Sequence, residues 1–421
     1  MDAIPVPVTD LARALGPWVG RPASIEGMAR MSGGASREIW SFDAVGPDGA
    51  RTELVLRRDP PGRPGEPGAI DREARGLSLA ADAGLRVPEL LFTSGGPGLG
   101  TAGMVMRRIA GETIARRIIR DDEYRNARAI LVGQLAEFAA GLHAIEPPPD
   151  FPRVDPVADL RSTLATFDEH SPVFDRAVLW LEAEPPPERK PALLHGDLRL
   201  GNIVVGPEGL RAVLDWELTH AGNPAEDLGW LCVKAWRFGA AAPVAGLGAR
   251  EELLAGYRAA GGADISLDEL RWWEVLGTLR WGVICMTQAH AHLSGAHRSV
   301  ELAAIGRRVC EQEWDLLLLL EPDAARRAAL RRPRPAGSPL AAPAPHGRPT
   351  ASELLDAVRA FLTEEVMPAT HGHLAFHARV AANVLGIVVR ELDLGPLATG
   401  AELADSVAAR LAVANPRYFD V

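Results

Sequence analysis

The stretch LLHGDLRLGNIVV, at residues 193–205, restricts the fold more than any other part of this sequence. Its apolar ends have the composition of buried strands, yet its centre carries polar side chains, which are costly to bury unless they are paired. A second apolar run, RAVLDW, follows a glycine-containing turn at 206–209 and contains Asp215. If the two runs pair as a hairpin-like unit, Asp197, Asn202 and Asp215 converge. The chain must therefore build two short strands around a cluster of oxygen-bearing side chains.

These three side chains fit the chemistry of phosphoryl transfer. Oxygen atoms of Asn202 and Asp215 are the hard ligands that Mg²⁺ prefers. Asp197 then remains available to accept a proton from a substrate hydroxyl. Because Mg²⁺ in such sites bridges the phosphates of a donor, the pattern predicts a phosphotransferase with a base at Asp197 and a metal site at the other two residues.

A turn near the amino terminus has the composition of a phosphate cradle. It contains Ser32, Gly33 and Gly34 and lies between two strand-like runs in ARMSGGASREIWSFDAV. Because glycine has no Cβ, the backbone amides of such a turn can approach phosphate groups closely. We therefore predict that these three residues help to hold the phosphate donor.

A cation for the donor phosphates is expected on the strand that follows this turn. The run LVLRR offers Arg57, and the helix in DREARGL offers Glu73 as the acidic partner that orients it. Arg58 is adjacent and faces the other side of a strand. The sequence leaves open which of the two arginines pairs with Glu73.

Composition divides the chain into four segments. Residues 1–110 contain short strand-like runs with one inserted helix, and residues 111–325 read mainly as helices. Residues 326–350 are rich in Pro, Ala and Arg, which is typical of an extended linker. Residues 351–421 return to helical periodicity, so we predict a separate small helical module there.

The overall composition excludes some classes of partner. A formal net charge of −10 disfavours nucleic acid and anionic membrane surfaces as partners. The apolar runs at 316–320 and 384–388 are too short to span a bilayer, and the first residues lack the pattern of a signal peptide. The three cysteines follow no metal-ligand spacing and read as buried thiols in a reducing compartment. We therefore expect a cytoplasmic protein.

Taken together, these motifs resemble the aminoglycoside-phosphotransferase-like branch of the protein-kinase fold. The resemblance is carried by SGGASREIW, LVLRR, REARGL, VMRRIAGE, LLHGDLRLGNIVV and VLDWELTHAGNPAEDLGWL, and it extends from about residue 25 to 320. Within that branch the chain is similar to the phosphotransferase domains related to those fused to acyl-CoA dehydrogenases.

The resemblance implies an α+β, bilobal, protein-kinase-like fold. Its N-lobe, residues 1–110, is a small antiparallel sheet that binds nucleotide, and its C-lobe, residues 111–325, is mainly helical and carries the catalytic and substrate-binding residues. A linker at 326–350 and an all-α accessory domain at 351–421 follow. This last part resembles a helical domain of unassigned function, and its apolar stripe can pack on the kinase lobe or on a second copy as a homodimer.

The resemblance also assigns roles around the catalytic stretch. It implies that Asp197 is the base and that Asn202 and Asp215 hold Mg²⁺. His195 is implied as a structural residue that supports the metal-binding turn, and Asp227 as a buried residue that braces the loop.

Further roles carried by the resemblance concern the donor. Arg199 would lie near the transferred phosphate, where a guanidinium offsets developing charge. Arg57 takes the position where many relatives have lysine, as in the dehydrogenase-fused branch. Backbone groups from Met106 to Arg108 would form the hinge that meets adenine.

The expected activity is an ATP- and Mg²⁺-dependent transfer of the γ-phosphate to a hydroxyl of a small molecule. Similarity to the dehydrogenase-fused branch favours a hydroxyacyl or hydroxy-acid acceptor. Two alternatives are a kinase for aminoglycosides or other amino alcohols, and a kinase-like protein that binds nucleotide and a partner without turnover.

Overall fold

The computed structural model of the chain describes residues 6–31, 37–62, 65–332, 349–395 and 402–420. The chain divides into two compact units, each assembled from several segments. The first unit comprises Met1–Val154, Pro187–Cys232 and Trp236–Leu270, and the second comprises Asp155–Pro186, Val233–Ala235 and Arg271–Val421.

The amino-terminal part of the first unit is a five-stranded antiparallel sheet in the order β1-β2-β3-β5-β4. Alternation of apolar residues along β2 and β3 places Phe42 and Leu54 as a cross-strand pair in its buried core. This confirms the predicted small sheet. Its strands are β1 (Ser24–Arg30), β2 (Glu38–Val45), β3 (Arg51–Arg58), β4 (Leu90–Gly95) and β5 (Ala102–Arg107).

Helices make up most of the remaining described chain. The helix expected after the Pro/Gly-rich loop is present at Ala69–Asp82, and Gly84 follows it with a positive φ of 75°. In chain order the helices are α1 (Val8–Val19), α2 (Ala69–Asp82), α3 (Ala115–Arg120), α4 (Arg125–His143), α5 (Pro156–Leu164), α6 (Pro172–Ala183), α7 (Ala225–Cys232), α8 (Arg250–Ala259), α9 (Leu267–Leu293), α10 (Val300–Gly306), α11 (Val309–Leu320), α12 (Pro322–Arg331), α13 (Ala351–Phe361), α14 (Met367–Ala369), α15 (Gly372–Leu394) and α16 (Leu403–Ala414).

The stretch at 193–205 is divided between two short sheets. Its first part forms β6 (Ala192–Leu194), which pairs with β9 (His220–Gly222), and its last part forms β7 (Ile203–Gly206), which pairs with β8 (Gly209–Val213). The β7–β8 pair confirms the predicted hairpin-like unit. The loop between β6 and β7 is therefore held at both ends, and the catalytic candidates lie on it.

In the second unit, the helices after residue 350 pack on helices before residue 332. Helix α16 lies against α11 and α12, and α15 lies against α10 and α13. Most of the predicted linker, residues 333–348, falls outside the described residues. The domain boundaries at 325 and 350 stay predictions, as does a homodimer through these helices.

Helix α11 carries an unusual run of buried acidic residues. Glu311, Glu313 and Asp315 are each no more than 5% exposed. Each has a cation of its own, at N–O distances of 2.9, 2.9 and 3.5 Å, and the cations are Arg308, Arg410 and Lys234 respectively.

The carboxyl-terminal residues add hydrogen bonds to the same carboxylates. Asn415 Nδ2 donates to Glu311 at 2.9 Å, and Tyr418 Oη donates to Asp315 at 2.7 Å. Burial, followed by the nearby Asp315 carboxylate, raises the pKa of Tyr418 well above its usual value, so the phenol stays protonated and can donate. The partly buried tail thus packs on the buried carboxylates of α11.

Among the described residues, one helix, α15, is long and apolar enough to cross a membrane by length and composition alone. The criterion uses the mean hydropathy over a long helical window, so α15 meets it although each unbroken run of apolar residues within the helix is short. A single helix of this kind is weak evidence, since core helices of soluble proteins pass the same test. The expected absence of a membrane partner stays a prediction.

Candidate active site

The loop that follows β6 depends on a glycine. Gly196 has a φ of 78°, and a Cβ at this position would lie 2.3 Å from the carbonyl oxygen of Leu218. Only glycine fits this left-handed conformation without displacing the neighbouring backbone. The turn it makes directs Asp197, the next residue, into the site.

Asp197 lies at the centre of a set of hydrogen-bond donors. Its Oδ1 accepts from Arg199 Nε at 2.9 Å and from Trp230 Nε1 at 2.7 Å. Its Oδ2 accepts from Asn202 Nδ2 at 2.5 Å. The structure thus brings together the three residues predicted on this loop and adds a tryptophan that the sequence interpretation missed.

A local signal for Trp230 was present in the sequence. It lies three residues after Asp227 in PAEDLGWL, a spacing that places both on one face of helix α7. Both residues then reach the catalytic loop: Asp227 holds its backbone and Trp230 holds its base.

Asp215 has the geometry of a constrained functional residue. Its φ is 67°, a left-handed conformation that is uncommon outside glycine and often found at functional sites. Its Oδ1 lies 2.6 Å from Nη2 of Arg57. Burial opposes ionisation of Asp215, but the adjacent guanidinium outweighs it and lowers the pKa of this carboxyl. Asp215 is therefore an anion, as a carboxyl group that binds a metal must be.

The oxygen atoms near this position fit Mg²⁺. Asp215 Oδ1 is buried and has no well-aligned hydrogen bond within the described residues. The Nδ2 of Asn202 is used by Asp197, which leaves its Oδ1 as the atom for a metal. The described part of the chain contains no cluster of three or more His, Cys, Asp or Glu suited to a metal. Two protein oxygens suit Mg²⁺, which completes its shell with phosphate oxygens and water.

The structure settles which arginine contacts Glu73. Arg57 Nε lies 3.1 Å from Glu73, and Arg57 Nη2 also contacts Glu217 at 2.8 Å. Arg58 turns to the other face of β3, where Nε and Nη2 donate to Glu38 at 3.1 and 3.0 Å. Because side chains alternate along a strand, Arg57 lies in the site and Arg58 lies on the opposite face of β3.

A second buried arginine, Arg37, was not predicted. It donates to Glu73 and lies 3.3 Å from Asp59, and it is only 8% exposed. Burial, and then the charge of Arg57, lowers the pKa of Arg37. Four carboxylates, those of Asp59, Glu73, Asp215 and Glu217, therefore share two guanidinium groups within the described residues.

The predicted donor turn lies next to Arg37. Ser32, Gly33 and Gly34 fall outside the described residues, so their part in holding phosphates stays a prediction.

His195 and Asp227 occupy the supporting positions that were predicted. Asp227 accepts hydrogen bonds from the backbone N–H groups of His195 and Gly196, both at 2.9 Å. Burial lowers the pKa of His195, so the ring is neutral. Its Nε2 then donates to the carbonyl of Leu214 at 2.9 Å, which joins the loop to the segment before Asp215.

Asp227 has a third partner that the sequence did not reveal. His143 Nε2 lies 3.2 Å from its Oδ2, and Tyr257 Oη lies 2.8 Å from Nδ1 of that histidine. Burial raises the pKa of Asp227, but His143 and the loop donors outweigh it and bring the value to about 2. The brace is thus a fully buried carboxylate stabilised by several donors.

The predicted hinge residues, Met106 to Arg108, take part in backbone pairing with neighbouring segments. Met106 lies in β5 between Val55 and Leu90. The N–H groups of Arg107 and Arg108 donate to backbone carbonyls at 2.9 and 3.0 Å. Contact of Met106 to Arg108 with adenine stays a prediction.

The family model described as "Phosphotransferase enzyme family" matches residues 28–273, which contain every site residue named above. The chain belongs to this phosphotransferase family. A second model, "Domain of unknown function (DUF6285)", matches residues 368–405. The recognised resemblance is therefore confirmed, and a small-molecule kinase is the class of activity it supports.

The curated relatives confirm the likeness to the dehydrogenase-associated branch. Acyl-CoA dehydrogenase family member 11 of Gallus gallus is 30% identical over 239 residues, which cover 52% of this chain and 29% of that protein. Family member 10 of Mus musculus is 39% identical over 64 residues, which cover 15% of this chain and 6% of that protein. The chain spans less than a third of the length of these relatives.

Solved structures confirm the fold. A putative aminoglycoside phosphotransferase from Ralstonia eutropha JMP134 matches with a TM-score of 0.56 and 20% identity, covering 73% of this chain and 97% of that one. A choline/ethanolamine kinase family protein from Mesorhizobium loti matches with a TM-score of 0.50 and 22% identity, covering 75% and 95%. The predicted kinase-like fold, with its antiparallel N-lobe sheet, helical C-lobe and helical carboxyl-terminal region, is therefore correct.

Proposed function

We propose that this protein is an ATP- and Mg²⁺-dependent phosphotransferase that moves the γ-phosphate to a hydroxyl of a small molecule. The observation that carries the proposal is that the hydrogen-bonded carboxylate of Asp197 lies beside Asn202, and that Asp215 follows β8 at the same end of the β7–β8 hairpin as Asn202. Coordinated Mg²⁺ would supply charge neutralisation for the donor phosphates.

The chain's own residues have distinct tasks in this proposal. Asp197 orients the acceptor hydroxyl and takes its proton as the oxygen attacks phosphorus. Arg199, 24% exposed and bonded to Asp197, offsets charge that develops on the transferred group. Arg57, which is held by Glu73 and contacts Asp215, is the cation for the donor phosphates.

For the acceptor we propose a hydroxyacyl or hydroxy-acid compound. The support is the similarity to acyl-CoA dehydrogenase family members 10 and 11. The cationic Arg199 beside the base is also compatible with an anionic acceptor. Amino alcohols and aminoglycosides are the alternative acceptor class.

A cytoplasmic setting without nucleic acid or membrane partners belongs to the same proposal. The three cysteines are buried. Burial raises the pKa of both Cys285 and Cys310 to about 12, which keeps them as unreactive thiols. The net charge of −10 supports the exclusion of nucleic acid.

The test is an acceptor screen with MgATP that follows ADP release and phosphorylated product. The panel should contain hydroxy acids, hydroxyacyl-CoA esters, amino alcohols, aminoglycosides and water alone. We expect one class to raise turnover, and we expect Asp197→Asn to abolish it. Glu208→Gln is the matched control, because Glu208 is an exposed carboxylate on the β7–β8 turn and its partner is Arg211 near the surface.

Two results would contradict the proposal. One is nucleotide binding without phosphate transfer to any acceptor, which would favour the nucleotide-binding interaction protein. The other is equal turnover by the Asp197→Asn variant and the wild-type enzyme.

A further inference from the structure

The two oxygens of the Asp197 carboxylate have different surroundings. Each carboxylate oxygen has about two lone-pair positions for hydrogen bonds. On Oδ1 both are used, by Arg199 Nε at 2.9 Å and by Trp230 Nε1 at 2.7 Å. On Oδ2 one is used, by Asn202 Nδ2 at 2.5 Å. Among the donors of the described residues, one acceptor position therefore remains open, on the oxygen that faces the metal-ligand candidate Asn202.

The donors on Oδ1 are held rigidly by aromatic packing. Trp230 is 3% exposed, and its ring centroid lies 5.2 Å from that of Trp236. The guanidinium of Arg199 lies over the same Trp236 ring, 4.6 Å from its centroid. The base, the arginine and the two indoles thus form one closed set of contacts, in which neither donor can leave Oδ1 without losing packing.

We propose that Trp230 is a positioning residue for the catalytic base, which caps Oδ1 and leaves Oδ2 as the atom that takes the substrate proton. The inference rests on the proposed function. The hydroxyl proton moves to Oδ2 while the hydroxyl oxygen bonds to phosphorus. The bond from phosphorus to the bridging oxygen breaks, and the nucleoside diphosphate leaves with the electron pair. Capping Oδ1 prevents rotation of the carboxylate and keeps the free lone pair beside Asn202.

The hydrogen bond itself can be tested without any substrate. The chain has ten tryptophans, so the indole N–H region of a ¹H–¹⁵N TROSY spectrum contains few signals. Trp230→Phe identifies the signal of Trp230, which we expect downfield because its partner is a carboxylate. In the Asp197→Ala protein that signal should move upfield by a clear margin. An unchanged Trp230 signal would overturn the inference and leave the proposed function standing.

The catalytic part is tested with MgATP turnover, using the best acceptor of the screen or water. Trp230→Phe keeps an aromatic ring but removes the donor, so we expect kcat to fall by about tenfold, the size of one charge-assisted hydrogen bond, with KM for MgATP unchanged. Trp272→Phe is the control, since Trp272 is 5% exposed and donates Nε1 to the Leu181 carbonyl at 3.1 Å in the second unit. It removes an equally buried indole hydrogen bond away from the base.

The control separates positioning from simple stability. Both variants should lower the melting temperature to a similar degree, while only Trp230→Phe should lower kcat. Equal kcat in the Trp230→Phe and wild-type enzymes, or equal losses in both variants, would contradict the inference. A wild-type enzyme that turns over no ATP with any acceptor would instead contradict the proposed function, and with it the catalytic role of Trp230.

Discussion

Two groups of buried acidic residues in this protein are built in different ways. On helix α11, each of three carboxylates has its own cation, and the carboxyl-terminal tail adds hydrogen bonds. In the candidate active site, as far as the chain is described, the carboxylates of Asp59, Glu73, Asp215 and Glu217 share the guanidinium groups of Arg37 and Arg57. The first group is balanced by the chain itself, and the second retains negative charge that a bound cation can balance.

The different pairing of the carboxylates indicates a structural role for the first group and a functional role for the second. A buried charge with a dedicated partner strongly resists the loss of that partner, because the remaining charge is then uncompensated. The α11 group therefore fastens the tail to the second unit. A cluster with shared cations, a left-handed Asp215 and a lowered carboxyl pKa has the features of a functional site instead.

The largest effect should follow from removal of the tail. Ending the chain at Arg332 removes Arg410, and with it the cation of the buried Glu313. It also removes Asn415 and Tyr418, the hydrogen-bond donors to Glu311 and Asp315, although these two carboxylates keep their own cations. We expect loss of soluble, cooperatively folded protein, as measured by circular dichroism and thermal unfolding. A truncated chain with the wild-type melting temperature would show that the α11 contacts carry no stability.

A smaller effect is expected from one pair of the α11 group. Arg410→Met leaves Glu313 buried at 1% exposure without its cation, which should lower the free energy of unfolding by about 2 kcal/mol. Arg326→Met is the matched control, because Arg326 and Asp323 form a pair that is exposed on both sides. The free energies of unfolding of the two variants, measured by urea denaturation, should differ clearly. Equal free energies would show that the buried pair contributes no more to stability than the surface pair.

Asp227, which braces the catalytic loop, should make the free energy of unfolding depend on pH in the acidic range. The pKa of Asp227 is about 2 in the folded protein and near 3.8 in an unfolded chain, so its contribution is complete above pH 4 and is lost as the pH falls towards 2. The loss should be about 2 kcal/mol at most. Urea denaturation across this range should show it, and the Asp227→Asn variant should show a flatter dependence. Parallel curves for both proteins would argue against this role.

The sequence predicted the residues that share a local motif. Asp197, Asn202 and Asp215 are joined by one loop and one hairpin, so their spacing alone brings them together. Arg57 and Glu73 were placed by their order in a known pattern, although only the strand geometry decided between Arg57 and Arg58.

The missed residues contact the site across long stretches of chain. Arg37 reaches Glu73 across 36 positions, Trp230 reaches Asp197 across 33, and His143 reaches Asp227 across 84. Such contacts depend on the tertiary packing of separate elements. The spacing of Asp227 and Trp230 shows that they share one face of α7, but it does not show which loop that face contacts. The pairing of α11 with the tail was hidden for the same reason, since Glu313 and Arg410 each look like an ordinary charged helix residue.

The response of the active-site cluster to MgATP shows whether a metal–nucleotide ligand completes this cluster. Ligand binding to the folded state raises the melting temperature, and the increase grows with the logarithm of ligand concentration over Kd. We expect MgATP to stabilise the wild-type protein, Asp197→Asn and Arg410→Met alike, since none of these changes removes a metal ligand. Asp215→Asn keeps the size and the left-handed backbone of the residue but loses its charge, so the Mg²⁺-dependent stabilisation should disappear. Equal stabilisation of the Asp215→Asn variant and the wild-type protein would contradict the central claim that this cluster is completed by a metal–nucleotide ligand.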